Sequence, residues 1–285
     1  MIYDEPKLKP LGDCFLGIEF GDEADLLLNF RVLALQQRIA ESRIPGVIEL
    51  LPSFRQLAAV IDRSVTSQDR VRAAIEEMLP DVAEVTELPS RRLRLPCWYD
   101  DPWSAAIAER YGVPNNIEFV AEQNGLSVPE LVERHTSTEF WIVCVGFTPG
   151  APFTYPLDPS KQLVAPKYET PRDFTPGRSL SLAGFSTGTY PVPSPGGYQL
   201  LGRLAVEIYE PEPRNRAFPP NGVLLRAGDR LQFRSIDALE YDEIRDAAQA
   251  GEYDYDIAED AFDVSAYLRS EEYLASHRGR PEPAA

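Results

Sequence analysis

The chain has 285 residues, is 44% hydrophobic and 26% charged, and carries a net charge of −17 with three cysteines and two histidines. Acidity of that size repels phosphate backbones and argues against nucleic acid as a partner, and no run of about eighteen apolar residues predicts a membrane span. Cys14, Cys97 and Cys144 are odd in number, far apart and set in apolar surroundings, which predicts reduced buried thiols in a cytoplasm rather than a disulfide frame or a zinc site.

The start, Met1 to Glu5, is acidic and lacks the apolar core of a secretory signal. Cys14 to Phe20 reads as a strand, and Asn29 is placed to cap a helix that runs to about Ser42 with Val32, Leu35 and Ile39 on one face. Pro45-Gly46 ends it. Val47 to Leu51 and Leu57 to Ile61 read as paired strands, and Ser67 caps a second helix to about Met78. Closed by a last strand near Arg92 to Pro96, this order predicts a ferredoxin-like α+β domain over residues 1–96 that serves as scaffold.

Helices follow. Asp101-Pro102 offers an N-cap with proline at the first helical position, Gly112 stops that helix, Asn115-Asn116 opens the next, and Ser127-Val128-Pro129-Glu130 is a capping box. His135 falls at the end of this last helix, where a histidine serves either as a partner of the helix dipole or as a base. Beyond Glu139 the pattern turns to short strands: Trp141 to Val145, Ser179 to Ala183, Tyr198 to Gly202, Ala205 to Tyr209 and Arg230 to Phe233. With Pro- and Gly-rich connectors between them, residues 97–236 predict a β-barrel domain with a helical entry segment. Residues 237–285 read as an acidic extension with a helix over Tyr241 to Ala250, an extended Tyr253 to Ile257 and a disordered tail around Pro281-Glu282-Pro283. Its acidity is either a solvated face or an arm for a basic partner.

Between Val143 and Arg203 the chain is crowded with proline and glycine corners that carry polar side chains. Fixed irregular backbone of that density shapes either a site or ordinary barrel turns. Phosphate loops, nucleophile elbows and zincin motifs are absent, as is a biotin-attachment Met-Lys-Met, since the only methionines are Met1 and Met78.

Gly146-Phe147-Thr148-Pro149-Gly150, Leu157-Asp158-Pro159, Ala165-Pro166-Lys167, Thr170-Pro171-Arg172, Thr187 to Pro191, Ser194-Pro195-Gly196-Gly197-Tyr198-Gln199 and Leu201-Gly202-Arg203 together resemble the KipI family, which comprises the B-type subunit of 5-oxoprolinase and is also called allophanate hydrolase subunit 1. Tyr99 to Pro102, Tyr111-Gly112 and Pro114 to Phe119 look more like the carboxyltransferase region of urea carboxylase, a relative. The resemblance covers about residues 9–240. It departs at Gly184-Phe185-Ser186-Thr187-Gly188, where the family usually has Gly-Gly-Gln-Thr-Gly, and at Asp100-Asp101, where many members have a glycine pair.

The resemblance implies a ferredoxin-like domain followed by a cyclophilin-like β-barrel. It implies pairing with a homologous KipA-type chain, the C-type partner of the 5-oxoprolinase assembly, and in the urea carboxylase branch with a biotin carboxylase. The pair would act on a small urea, amide or lactam, with biotin carried and ATP used by partner chains. The other activity that the resemblance implies is inhibition of a sensor histidine kinase. Carboxyl transfer or amide hydrolysis needs oxyanion stabilisation and a base. The expected catalytic residues are therefore His135 as the group titrating near neutrality, Lys167 and Arg172 for a carboxylate or carbamate, and Tyr190. Backbone N–H groups around Ser194, Gly196 and Gly197 would face the substrate, Gln199 would fix an amide, and Phe147, Gly150, Thr187 and Arg203 complete the expected binding set. No metal is expected.

Overall fold

The computed structural model describes residues 1–277, and the tail expected around Pro281 to Pro283 lies outside them. Packing divides the chain into two compact units, one of residues 1–89 together with the chain from Ala261, the other Ser90 to Asp260.

In the first unit, β1 (Ile2–Pro10), β2 (Phe15–Gly21), β3 (Val47–Pro52) and β4 (Gln56–Ile61) form an antiparallel sheet in the order β1-β2-β4-β3. Helix α1 (Leu26–Ser42) starts where Asp25 accepts from the Leu27 N–H at 2.9 Å, ahead of the expected cap. Arg43 ends it in the left-handed region with φ 48°. Asn29, expected as the cap, sits inside the helix, fully buried, and donates to the Ser53 and Phe54 carbonyls. Leu28, Val32, Leu35 and Ile39 recur at helical spacing and bury their face against Leu16, Ile18, Leu57 and Ile61. Each such side chain contributes about 1.5–3 kcal/mol on burial. Helices α2 (Gln68–Glu76), which Ser67 caps as expected, and α3 (Leu79–Ala83) follow.

The edge strand corrects one expectation. The place predicted for Arg92 to Pro96 is taken by β1, paired antiparallel to β2. With its run of charges and prolines, IYDEPKLKP, β1 shows little apolar alternation and leaves no strand signal. Phe30 packs its ring on Phe262 and Tyr267 at 5.5 and 5.6 Å, which brings the returning chain, with its short helices Val264–Leu268 and Glu271–His277, onto this unit.

The second unit opens with β5 (Glu87–Tyr99), whose Leu93, Leu95 and Cys97 point into a new core. Helices α4 (Pro102–Arg110), α5 (Asn116–Gln123) and α6 (Val128–Thr136) come next, with the Asp101, Asn115 and Ser127 caps where the sequence predicts them. The remaining strands are β6 (Phe140–Val145), β7 (Pro152–Pro156), β8 (Arg172–Thr175), β9 (Ser179–Ala183), β10 (Ser186–Tyr190), β11 (Ser194–Gly196), β12 (Gln199–Leu204) and β13 (Arg230–Ser235). Among the described residues seven strands close a barrel in the order β12-β9-β10-β7-β6-β13-β5, sealed by β12 on β5. The seal needs glycine at 202, because a Cβ there would lie 2.5 Å from the Trp98 carbonyl oxygen. The β5–β13 ladder is parallel, Arg92 to Cys97 alongside Arg230 to Ser235. Strands β8 and β11 form a separate two-stranded ribbon.

Ala205 to Tyr209, expected as a strand, is irregular apart from one bridge at Tyr209, although Ala205, Val206 and Ile208 are buried. Burial without a ladder produced the same apolar signal. Helix α7 (Ala238–Ala250), capped by Asp237 and ended by Gly251 at φ 76°, stays with the barrel unit, and β14 (Asp256–Asp263) lies next to β5. Cys97 is buried, while Cys14, expected to be buried, is exposed.

Candidate functional site

Strand β10 reads Ser-Thr-Gly-Thr-Tyr, yet all five residues are buried; among the described residues Ser186 Oγ and Thr189 Oγ1 lack a hydrogen-bond partner, whereas buried polar groups ordinarily find one. Thr187 does so through His135. The imidazole is 1% exposed, with Nδ1 2.7 Å from the Tyr99 hydroxyl and Nε2 3.1 Å from Thr187 Oγ1. Phe140 and Phe233 pack on its faces at 4.6 and 5.1 Å. Burial lowers its pKa to about 3, so the ring is neutral at physiological pH. His135 and Thr187 are thus joined to each other in the barrel interior, and neither lines the two cavities described below.

The far end of β10 leads to a pocket of about 480 Å³. Its walls are aromatic: Phe147 and Phe153, Tyr168, Tyr190 and Tyr198, with Ser181, Gly188, Thr189, Gly196 and Gly197 between them. Phe147 sits in the turn between β6 and β7 with φ 70° and is 71% exposed. A left-handed phenylalanine is uncommon, and such residues cluster at functional sites. The turn is tied by the Gly146 N–H donating to the Ala151 carbonyl at 2.9 Å.

The opposite wall is the segment 166–171. Tyr168 N–H donates to the Gly197 carbonyl at 2.8 Å, and Gln199 Nε2 donates to the Pro166 carbonyl at 2.9 Å. Asn116, fully buried at the start of α5, hydrogen-bonds the Tyr168 hydroxyl through Nδ2 at 2.7 Å and accepts from the Leu200 N–H at 2.9 Å. Lys167 is thereby held at the pocket wall with Nζ 5.6 Å from the Tyr198 ring centre. The ridge Lys167-Tyr168-Pro171 is shared with a second hollow of about 870 Å³ that Arg110, Tyr111, Phe119, Asp173 and Gln199 also line.

Of the residues expected from sequence, the pocket gathers Phe147, Lys167, Tyr190, Gly196 and Gly197. Gly196 presses so closely on the Tyr190 hydroxyl that no Cβ fits there. Arg172, expected to bind a carboxylate directly, lies behind the wall at 1% exposure. Its Nε donates to Thr175 Oγ1 at 3.2 Å, its Nη2 to the Tyr198 carbonyl at 2.8 Å, and its guanidinium stacks 4.4 Å from the Tyr168 ring. Gln199 faces the second hollow. Gly150, at φ 78°, packs on Tyr209, and Ser194 lies in β11 with its hydroxyl buried and unpaired. Arg203 stacks 4.8 Å from the Trp103 ring and lines neither cavity.

The sequence reading missed Phe153, Tyr168, Tyr198 and Asn116. Tyr198 stands inside the Ser194 to Gln199 segment and Tyr168 directly follows Ala165-Pro166-Lys167, so the signal was available beside the motifs and obscured by their polar neighbours. Among the described residues no three His, Cys, Asp or Glu side chains are grouped to hold a metal ion, and no helix is long and apolar enough to cross a membrane.

Residues 6–219 match the family described as carboxyltransferase domain, subdomain C and D. The chain belongs to this carboxyltransferase family. It is 32% identical over 245 residues to the B-type subunit of 5-oxoprolinase from Bacillus subtilis, a match that covers 82% of this chain and 95% of that one. It is 26% identical over 271 residues to urea amidolyase of Saccharomyces cerevisiae, covering 90% of this chain but 15% of the yeast protein. The K. lactis urea amidolyase crystal structure superposes with a TM-score of 0.83 at 21% identity, over 97% of this chain and 18% of that one. The carboxyltransferase family thus includes relatives about as long as this chain and others in which the matching region is a small part of a much longer protein.

Proposed function

We propose that this chain is one subunit of a cytoplasmic, two-chain enzyme that acts on a small lactam, amide or urea, with a homologous KipA-type chain as its partner. The observation that carries the reading is Lys167, a cation without an ion-pair partner among the described residues, held at the wall of an aromatic pocket beside Gly196 and Gly197. Planar amide and ureido groups stack on aromatic walls, and a fixed ammonium stabilises the negative charge that develops on a carbonyl oxygen under attack. The glycines keep side chains out of the approach. The base is assigned to the partner, because the one histidine expected to titrate near neutrality is neutral, doubly bonded and inside the barrel. The 5-oxoprolinase relative from B. subtilis matches along 95% of its length, which favours the lactam branch and a separate partner chain.

ATP, in this reading, is used by another chain, since no phosphate loop occurs in this sequence. In the carboxyltransferase branch biotin, attached to a partner, would supply an activated carboxyl group on its ureido nitrogen. The second hollow would be the place for such a ring, with Tyr111 and Phe119 as apolar wall, Arg110 and Gln199 as polar edge, and Glu169 and Asp173 lining it as well. The test is co-expression with a homologous KipA-type barrel chain and assay of ATP-dependent 5-oxoproline and urea turnover by the pair. Turnover that falls at least a hundredfold in Lys167→Ala, with the pair still assembled, is expected. Undiminished turnover in that variant, or kinase inhibition with no turnover by the pair, would overturn the reading.

A further inference from the structure

The side chain of Arg172 is among the largest fully buried in the barrel unit, at 1% exposure, and among the described residues no carboxylate lies within ion-pair distance of it. Its sequence neighbour Asp173 is exposed and accepts instead from the Tyr111 hydroxyl. Two of its nitrogens are satisfied by neutral oxygens, those of Thr175 and Tyr198. Nη1 is buried with no hydrogen-bond partner. A guanidinium withdrawn from water without a counter-ion is costly, and natural structures retain such a group where its field is used or where an anion completes it.

The field falls on the pocket. Arg172 lies beneath the Tyr168 ring and beside the Tyr190 phenol, which is 6% exposed and lines the cavity. Burial raises the Tyr190 pKa, and the adjacent Arg172 charge works against that rise. The hydroxyl accepts from the Tyr198 N–H at 3.4 Å. No described residue accepts from it in return. A phenol oxygen that accepts on one side keeps its own hydrogen to donate, and the cavity it lines is where a ligand could accept it. Gly196 presses on the same oxygen and fixes where it sits.

We propose that Arg172 and Tyr190 act as a pair that makes the pocket selective for an anionic oxygen, a carboxylate or carbamate, with the buried cation behind and the phenol proton as the hydrogen bond offered to the ligand. Tyr190 touches the ligand; Arg172 is a positioning residue that acts through it. The inference rests on the pocket being a ligand site, as in the proposed function, but on no reaction taking place there. A hydrogen bond to a charged group is worth about 1.5–3 kcal/mol, which is on the order of tenfold or more in affinity.

The probes are benzoate and benzamide, near-isosteric aromatic ligands that differ in charge, titrated calorimetrically into the full chain. Benzoate is expected to bind at least tenfold more tightly than benzamide. In Tyr190→Phe and Arg172→Met that ratio is expected to fall to about one, benzoate losing at least tenfold more affinity than benzamide, while Arg172→Lys keeps part of it. A merely structural role would weaken both probes together and leave the ratio intact. Tyr190→Phe removes a single oxygen, so it keeps the test decisive if Arg172→Met fails to fold. An unchanged ratio in Tyr190→Phe, a ratio abolished only by Lys167→Met, or no binding of either probe would overturn the proposal. Selective binding without turnover by the assembled pair would leave it standing and remove the lactamase reading instead.

Discussion

The first unit and the mouth of the barrel solve opposite problems with the same materials. In the first unit, Leu28, Val32, Leu35 and Ile39 meet β4, which alternates half-buried and buried residues, and one face of helix and sheet is given to the core while Phe15, Ile48 and Leu51 stay exposed. At the barrel mouth, five aromatic rings stay at a cavity wall, a phenylalanine takes a left-handed backbone, and an arginine is buried without a counter-ion. Regular periodicity marks where stability is stored; departures from it mark the proposed ligand site.

Four substitutions test this contrast. The largest effect belongs to Leu35→Ala, which empties a fully buried position of the first core. It is expected to cost about 2–5 kcal/mol in chemical denaturation while benzoate binding to the folded protein stays unchanged. Weakened binding would break the separation.

His135 gives the next largest. Its native pKa of about 3 lies below the unfolded value of 6.5, so the unfolded chain binds the extra proton. Stability from this group is therefore present above about pH 6.5 and lost as pH falls towards 3, with a limiting slope of about 1.4 kcal/mol per pH unit. Subtracting the denaturation profile of His135→Gln from that of the parent should isolate this acid limb. A difference that is flat between pH 6.5 and 4 would place His135 in a wet environment.

Gly196→Ala comes third. The new methyl collides with the Tyr190 ring, so loss of measurable benzoate binding is expected, with a stability change of about 1–3 kcal/mol. Retained binding would separate Tyr190 from the ligand. The smallest effect is that of Phe147→Gly. Relief of the left-handed backbone, about 1–2 kcal/mol, is offset by the entropy of glycine in the unfolded chain, and a net change within about 0.5 kcal/mol is expected. Its mark is a several-fold weaker affinity for both probes, because an exposed wall is removed; unchanged affinity would make Phe147 an ornament of the turn.

Much of this was legible in the sequence. The caps at Ser67, Asp101, Asn115 and Ser127 and the strands Trp141 to Val145 and Ser179 to Ala183 carry local signals that tertiary packing agrees with. What was not legible depended on direction. The end-of-helix position of His135 says nothing about which way the ring faces, and α6 turns it inward. Arg172 was expected to bind a carboxylate because of its chemistry, but the β8–β11 ribbon holds its side chain behind the wall. Tyr168 and Tyr198 look like ordinary apolar filler until the backbone curves to leave space before them. β1 was missed because an edge strand can be rich in charge and still pair.

The parallel ladder between β5 and β13 has a consequence for how the molecule is made. It joins residues such as Arg91 and Asp229, whose side chains bridge at 2.9 Å across 138 positions of sequence. While the N-terminal sheet is assembled from neighbours a few dozen residues apart, the cylinder cannot shut until almost its last segment has left the ribosome. Until then β5 and β6 offer unsatisfied edges where β13 will insert, so nascent or truncated chains ending before about residue 235 should be the aggregation-prone species, and slow late closure the step that a chaperone would guard.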